Sequence, residues 1–118
     1  MIATTSDQGI TLIGLGLPKS TADSYHPFYD DKLLHQMDDG FDEDYDAFAW
    51  SLSALLKVMR QANAVTTLQV TSLSTFMRCK DMGFIWQNDL YINDPVSAAY
   101  EMVCYLLRNG HIKKEEER

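Results

Sequence analysis

Eight carboxylates stand between Phe28 and Ala47 against one cation, Lys32, and the chemistry open to them is pairing with positive charge. They are Asp30, Asp31, Asp38, Asp39, Asp42, Glu43, Asp44 and Asp46, and six of them fall within residues 38–46. Phe41, Tyr45, Phe48 and Trp50 are threaded through the later part, and an apolar helical pattern follows. Charge alone would describe a solvated tail. Charge laced with aromatic residues reads as an ordered acidic surface that meets a basic one. On this reading Asp38, Asp39, Asp42, Glu43, Asp44 and Asp46 pair with a partner's Lys and Arg, while Phe41 and Tyr45 are the desolvated anchors. Such a surface raises association rates by roughly 10–10³-fold in a salt-dependent way. The plain alternative is a solvated helix start, where each exposed acid gains about 0.3–1 kcal/mol from the helix dipole.

Other chemistries fit the residues less well. Asp42-Glu43-Asp44 lacks the glycine and the distal bidentate Glu of a calcium loop. His26, His35 and His111 are scattered, without the HExxH or Cys/His spacing of a metal site. The run GLGLPKST resembles a phosphate loop, but Pro18 precedes the lysine where a backbone N–H is needed. Cys79 and Cys104 lie 25 positions apart in no glycine-rich turn, and both read as buried structural thiols. No catalytic set, metal or cofactor is expected.

The elements must position these groups within 118 residues, of which 46% are hydrophobic. A chain of this size buries roughly two thirds of its unfolded surface, enough for one core. A single domain over 1–110 with a charged tail over 111–118 is expected. No apolar stretch approaches the roughly 20 residues of a membrane span. The start MIATTSDQG has neither the basic nor the apolar region of a signal peptide, so a cytoplasmic protein is expected. Net charge is −7 and uneven: residues 1–46 carry −8, residues 47–88 carry +3 and residues 89–118 carry −2. So acidic a chain repels phosphate backbones.

Along the chain, Gly9–Leu17 alternates glycine with aliphatic residues and reads as a strand over about 10–15. A short helix is expected over about 29–37, broken by Asp38-Asp39-Gly40. From Asp44 to about Asn63, apolar residues at Phe48, Leu52, Leu55, Leu56 and Met59 keep helical spacing, with Trp50, Ala54 and Val58 alongside. Val65–Thr71 is β-branched and predicts a strand. Ser72 or Ser74 caps an expected helix ending near Met82, and Gly83 stops it. Residues 84–92 form a hairpin candidate. Asp94-Pro95 opens a last helix, Val96, Ala99, Tyr100, Val103, Leu106 and Leu107 trace its core face, and Asn109-Gly110 closes it.

The expected fold is therefore α+β. Helices over 44–63 and 95–109 pack on a small sheet built from 10–15, 65–70 and a hairpin at 84–92. The expected function is that of a non-enzymatic binding protein masking a basic surface of another protein. In its most concrete form it is an immunity protein or antitoxin that neutralises a nuclease-type toxin. A winged-helix DNA-binding regulator using Arg78 and Lys80 on the 72–82 helix is the first alternative. A self-associating structural protein, joining the −8 segment of one copy to the +3 segment of another, is the second.

Overall fold

The computed structural model describes residues 3–37, 40–60, 65–70, 75–80, 87–92 and 95–114, with side chains described outside the three strands of residues 65–92. The order is helix α1 (Ser6–Gly14), a 3₁₀ turn at Lys19–Thr21, strands β1 (Ser24–His26), β2 (His35–Gln36) and β3 (Ala47–Ala49), and helix α2 (Leu52–Arg60). Strands β4 (Val65–Val70), β5 (Thr75–Lys80) and β6 (Gln87–Ile92) and helix α3 (Pro95–Arg108) follow. The class is α+β, as expected. The strands form two antiparallel sheets, ordered β2-β1-β3 and β4-β5-β6.

Helix α1 replaces the strand expected over 10–15. Its start is a capping box: Gln8 N–H donates to Thr5 Oγ1 at 3.2 Å, and Thr5 N–H donates to Gln8 Oε1 at 3.0 Å. Its end is a Schellman turn, in which Gly16 N–H donates to Ile13 O and Leu17 N–H to Leu12 O. Gly16 takes φ +99°, which an L side chain rarely adopts. Leu12 and Leu17, the pair this turn brings together, are both buried in the core. Gly9 sets the depth of the helix: a Cβ there would strike the backbone carbonyl of Phe48 in β3.

Helix α2 begins at Leu52 and not near Asp44, because Ser51 is its cap. Ala54 N–H donates to Ser51 Oγ at 3.2 Å, and Asp23 accepts from both the Ser51 N–H and its hydroxyl. Residues 47–49, which follow helical spacing, instead pair with β1 in the register Ser24↔Ala49, Tyr25↔Phe48 and His26↔Ala47. In place of the helix expected over 29–37, turns lead into β2, which pairs with β1 on its other side.

Ala54, Leu55, Val58 and Met59 of α2 are buried against α3, whose buried side includes Val96, Ala99, Val103, Leu106 and Leu107 as expected, while Tyr100 is half-buried. A second glycine turn ends α3: His111 N–H donates to Leu106 O, and Gly110 has φ +74°. Ile112, assigned to a solvated tail from its charged neighbours, is 2% exposed and belongs to the core. Residues 115–118 lie outside the described residues.

Helix α3 also lies against β5 and β6. Six residues of β5 pair with β4 and six with β6, Arg78 facing Thr67 and Asp89 across the ladder. The described part of 72–82 is thus strand, and the recognition helix that a winged-helix regulator requires is not there. Residues 87–89, where the hairpin expected within 84–92 would turn, instead run on into Ile92 as one strand paired along its length with β5; residues 84–86 lie outside the described residues.

A buried polar knot joins the N-terminal segment to this frame. Thr4 N–H donates to Trp50 O at 2.9 Å, and Trp50 N–H donates to Thr4 Oγ1 at 3.0 Å. His26 bridges two carbonyls, with Nε2 at 2.8 Å from Thr4 O and Nδ1 at 2.7 Å from Leu33 O. Trp50 Nε1–H donates to Thr21 Oγ1 at 2.9 Å. Every buried side-chain nitrogen and oxygen among the described residues has a partner.

Burial pushes the Cys104 thiol up, and its hydrogen bond with Tyr100 works against that shift. The folded state therefore holds the thiol proton more tightly than the unfolded chain. This contribution to stability is complete below the ordinary thiol range of about 8.5 and is lost as pH rises through the folded value. In native protein at pH 8, alkylation of Cys104 followed by peptide mass spectrometry should be far slower than in denaturant; equal rates would contradict its burial. Two glycines in one helix should respond with opposite signs in urea unfolding. Gly9→Ala should destabilise by about 1–3 kcal/mol through overpacking. Gly14→Ala, where nothing lies within 4 Å of the new methyl, should stabilise by about 0.5–1 kcal/mol.

Candidate functional site

The loops on either side of β2 carry the acid. After β1, Pro27 opens a turn in which Asp30 N–H donates to Pro27 O at 3.1 Å, Leu33 N–H to Asp30 O at 3.2 Å and Lys32 N–H to Asp30 Oδ1 at 3.0 Å. Before β3, Tyr45 and Asp46 N–H groups both donate to Asp42 O, and Asp44 N–H donates to Asp42 Oδ1 at 3.0 Å. Asp and Asn side chains favour such turns because they mimic a backbone acceptor.

Asp46 locks the two loops together. Its Oδ2 accepts from Asp42 N–H at 2.9 Å, closing its own turn, and its Oδ1 accepts from Phe28 N–H at 3.0 Å across 18 residues. The Phe28 ring lies 5.7 Å from Tyr45 and 5.6 Å from Tyr29, the latter edge to face at 84°. These three rings are 70%, 68% and 67% exposed respectively, while Trp50 is fully buried. Such a contact patch of large solvated rings is what interaction sites present.

The acidic residues divide by task. Asp42, Glu43 and Asp44 are exposed, and Asp46 is half-buried and occupied by the two N–H groups. Glu43 Oε1 accepts from Lys19 Nζ at 2.8 Å, and the same ammonium stands 5.9 Å from the centre of the Phe48 ring. Asp38 and Asp39 lie outside the described residues. Of the two expected anchors, Tyr45 is on the surface. Phe41 is half-buried and packs inward, 5.2 Å from Tyr25 and 4.8 Å from Phe48. The exposed places beside Tyr45 belong to Phe28 and Tyr29, which the sequence reading passed over. Their signal was the run Phe28-Tyr29-Asp30-Asp31, the same interleaving of ring and acid found at 41–46.

Elsewhere, Asp23, Ser51 and His35 line one open hollow of about 590 Å³. The Ser51 hydroxyl caps α2 and donates to Asp23. Among the described residues no group of three or more His, Cys, Asp and Glu is arranged to hold a metal ion, and no helix is long and apolar enough to cross a membrane.

The two carboxylates just compared should differ sharply on truncation. Asp46→Ala should lose about 1–2 kcal/mol in urea unfolding, since it removes two charge-assisted bonds. Asp44→Ala, whose side chain is exposed, should stay within about 0.5 kcal/mol. Equal effects would mean that Asp46 does not hold the loops.

Comparison with models of known protein families, with curated proteins and with solved structures gave no match to this chain.

Proposed function

We propose that this chain is a small non-enzymatic binding protein that covers a basic surface on another protein, most concretely as an immunity protein or antitoxin neutralising a nuclease-type toxin. One observation carries the reading. Two acidic loops, separated in sequence by β2, meet around a contact patch of three exposed rings. Asp31, Asp42 and Asp44 supply the long-range attraction on these loops, and the rings supply apolar area that is desolvated on contact. Acid alone would steer a partner without holding it; rings alone would not select a basic one. A nuclease groove lined with Lys and Arg is the kind of surface this combination fits, because it too is built to receive negative charge.

The test is capture from the source organism's lysate on immobilised wild type and on an Asp31→Lys, Asp44→Lys double variant. Both positions are exposed, so the fold is not at stake. A basic protein held by wild type, released by salt and lost to the variant is the expected result. If that protein is a nuclease, an equimolar amount of wild type should suppress its activity. Capture of the same proteins by both forms, with the same salt dependence, would show the reading to be wrong.

A further inference from the structure

Lys19 shows how this fold holds a cation. Its ammonium stands over the Phe48 ring and on the Glu43 carboxylate at once. A ring face attracts a cation through its quadrupole, and an adjacent carboxylate adds charge and a hydrogen-bond acceptor. Rings and acids are also neighbours along the chain at the exposed patch. There the rings are Phe28, Tyr29 and Tyr45, and the neighbouring acids in sequence are Asp30, Asp31 and Asp44. Among the described residues no cation stands over those three rings.

We infer that the ring patch Phe28–Tyr29–Tyr45 receives an arginine side chain of the basic partner, an inference that rests on the function proposed above. The site is on the open surface, so an incoming cation must shed water to touch a ring. An ammonium is compact and strongly hydrated, whereas a guanidinium is planar and weakly hydrated. It can lie flat on one ring while its edge donates to a carboxylate beside it. Phe28 and Tyr29 are set at 84° and Phe28 and Tyr45 at 51°, so the patch offers faces in several directions and not one flat stack.

Two synthetic peptides of equal length and charge, one with arginine alternating with glycine and one with lysine, separate the possibilities. Binding is followed by chemical-shift changes of the full chain, in wild type and in a Phe28→Ser, Tyr29→Ser, Tyr45→Ser variant of unchanged charge. The arginine peptide should bind wild type roughly tenfold more tightly than the lysine peptide, and the variant should erase that difference. An arginine preference that survives in the variant would overturn the role of the rings. Equal binding of the two peptides, weakened by the Asp31→Lys, Asp44→Lys changes, would overturn the arginine inference and leave the proposed function standing. If neither peptide binds, both fall.

Discussion

The structure depends on hydrogen-bond satisfaction around Thr4. The sheet β2-β1-β3 has strands of two or three residues, too short for its ladder to hold it together. Its strength comes from side chains that reach across segments. Thr4 uses its N–H, its carbonyl and its hydroxyl, tying the start of the chain to Trp50 and His26. His26 passes the connection on to Leu33, and Asp23 fixes both β1 and the first turn of α2 through Ser51. An unmet group in such a knot costs about 1–3 kcal/mol, comparable to a sizeable share of a small domain's stability.

That knot separates what holds from what is displayed. Helices α2 and α3 and the rear face of α1 supply the apolar core. The loops either side of β2 add little to it and carry exposed rings and acids instead. Fixing them falls to Asp46 and to the inward-facing pair Phe41 and Tyr25, which seat the acidic turn on the sheet. Sites are commonly built on loops held by a rigid frame, because the frame fixes geometry while the loop is free to vary in chemistry.

Legibility in the sequence followed the range of the interactions. Helix α3 was readable from Asp94-Pro95, a 3.6-residue apolar stripe and Asn109-Gly110, all local signals. The buried face of α2 was readable for the same reason. Its start was not, since Phe48 keeps helical spacing with Leu52 and Leu55 but is drawn into pairing with Tyr25, far back in the chain. Helix α1 was hidden by its glycines, although Thr5-Ser6-Asp7-Gln8 spelled a capping box. One of those glycines serves contact with β3 and another the turn, and neither disqualifies the helix. The 72–82 segment carried the serine and glycine that flank helices, yet its centre pairs on both sides as a middle strand, a non-local outcome that no window of sequence records. For the candidate site, the acid was plain and the rings were not. Exposure of Phe28 and Tyr29, and withdrawal of Phe41, are set by how two distant loops meet.

The bond from Phe28 N–H to Asp46 has a consequence for the entropy of encounter. A loop that orders on meeting its ligand loses backbone freedom at that moment, roughly 1–2 kcal/mol per residue, and affinity falls by as much. Here the turns at 27–33 and 42–46 are already closed on themselves and joined to one another. Their conformational entropy is lost when the chain folds and not when a partner arrives. What remains at contact is side-chain rotation and the removal of water from three rings, so the face behaves as a rigid surface whose shape exists before it is met.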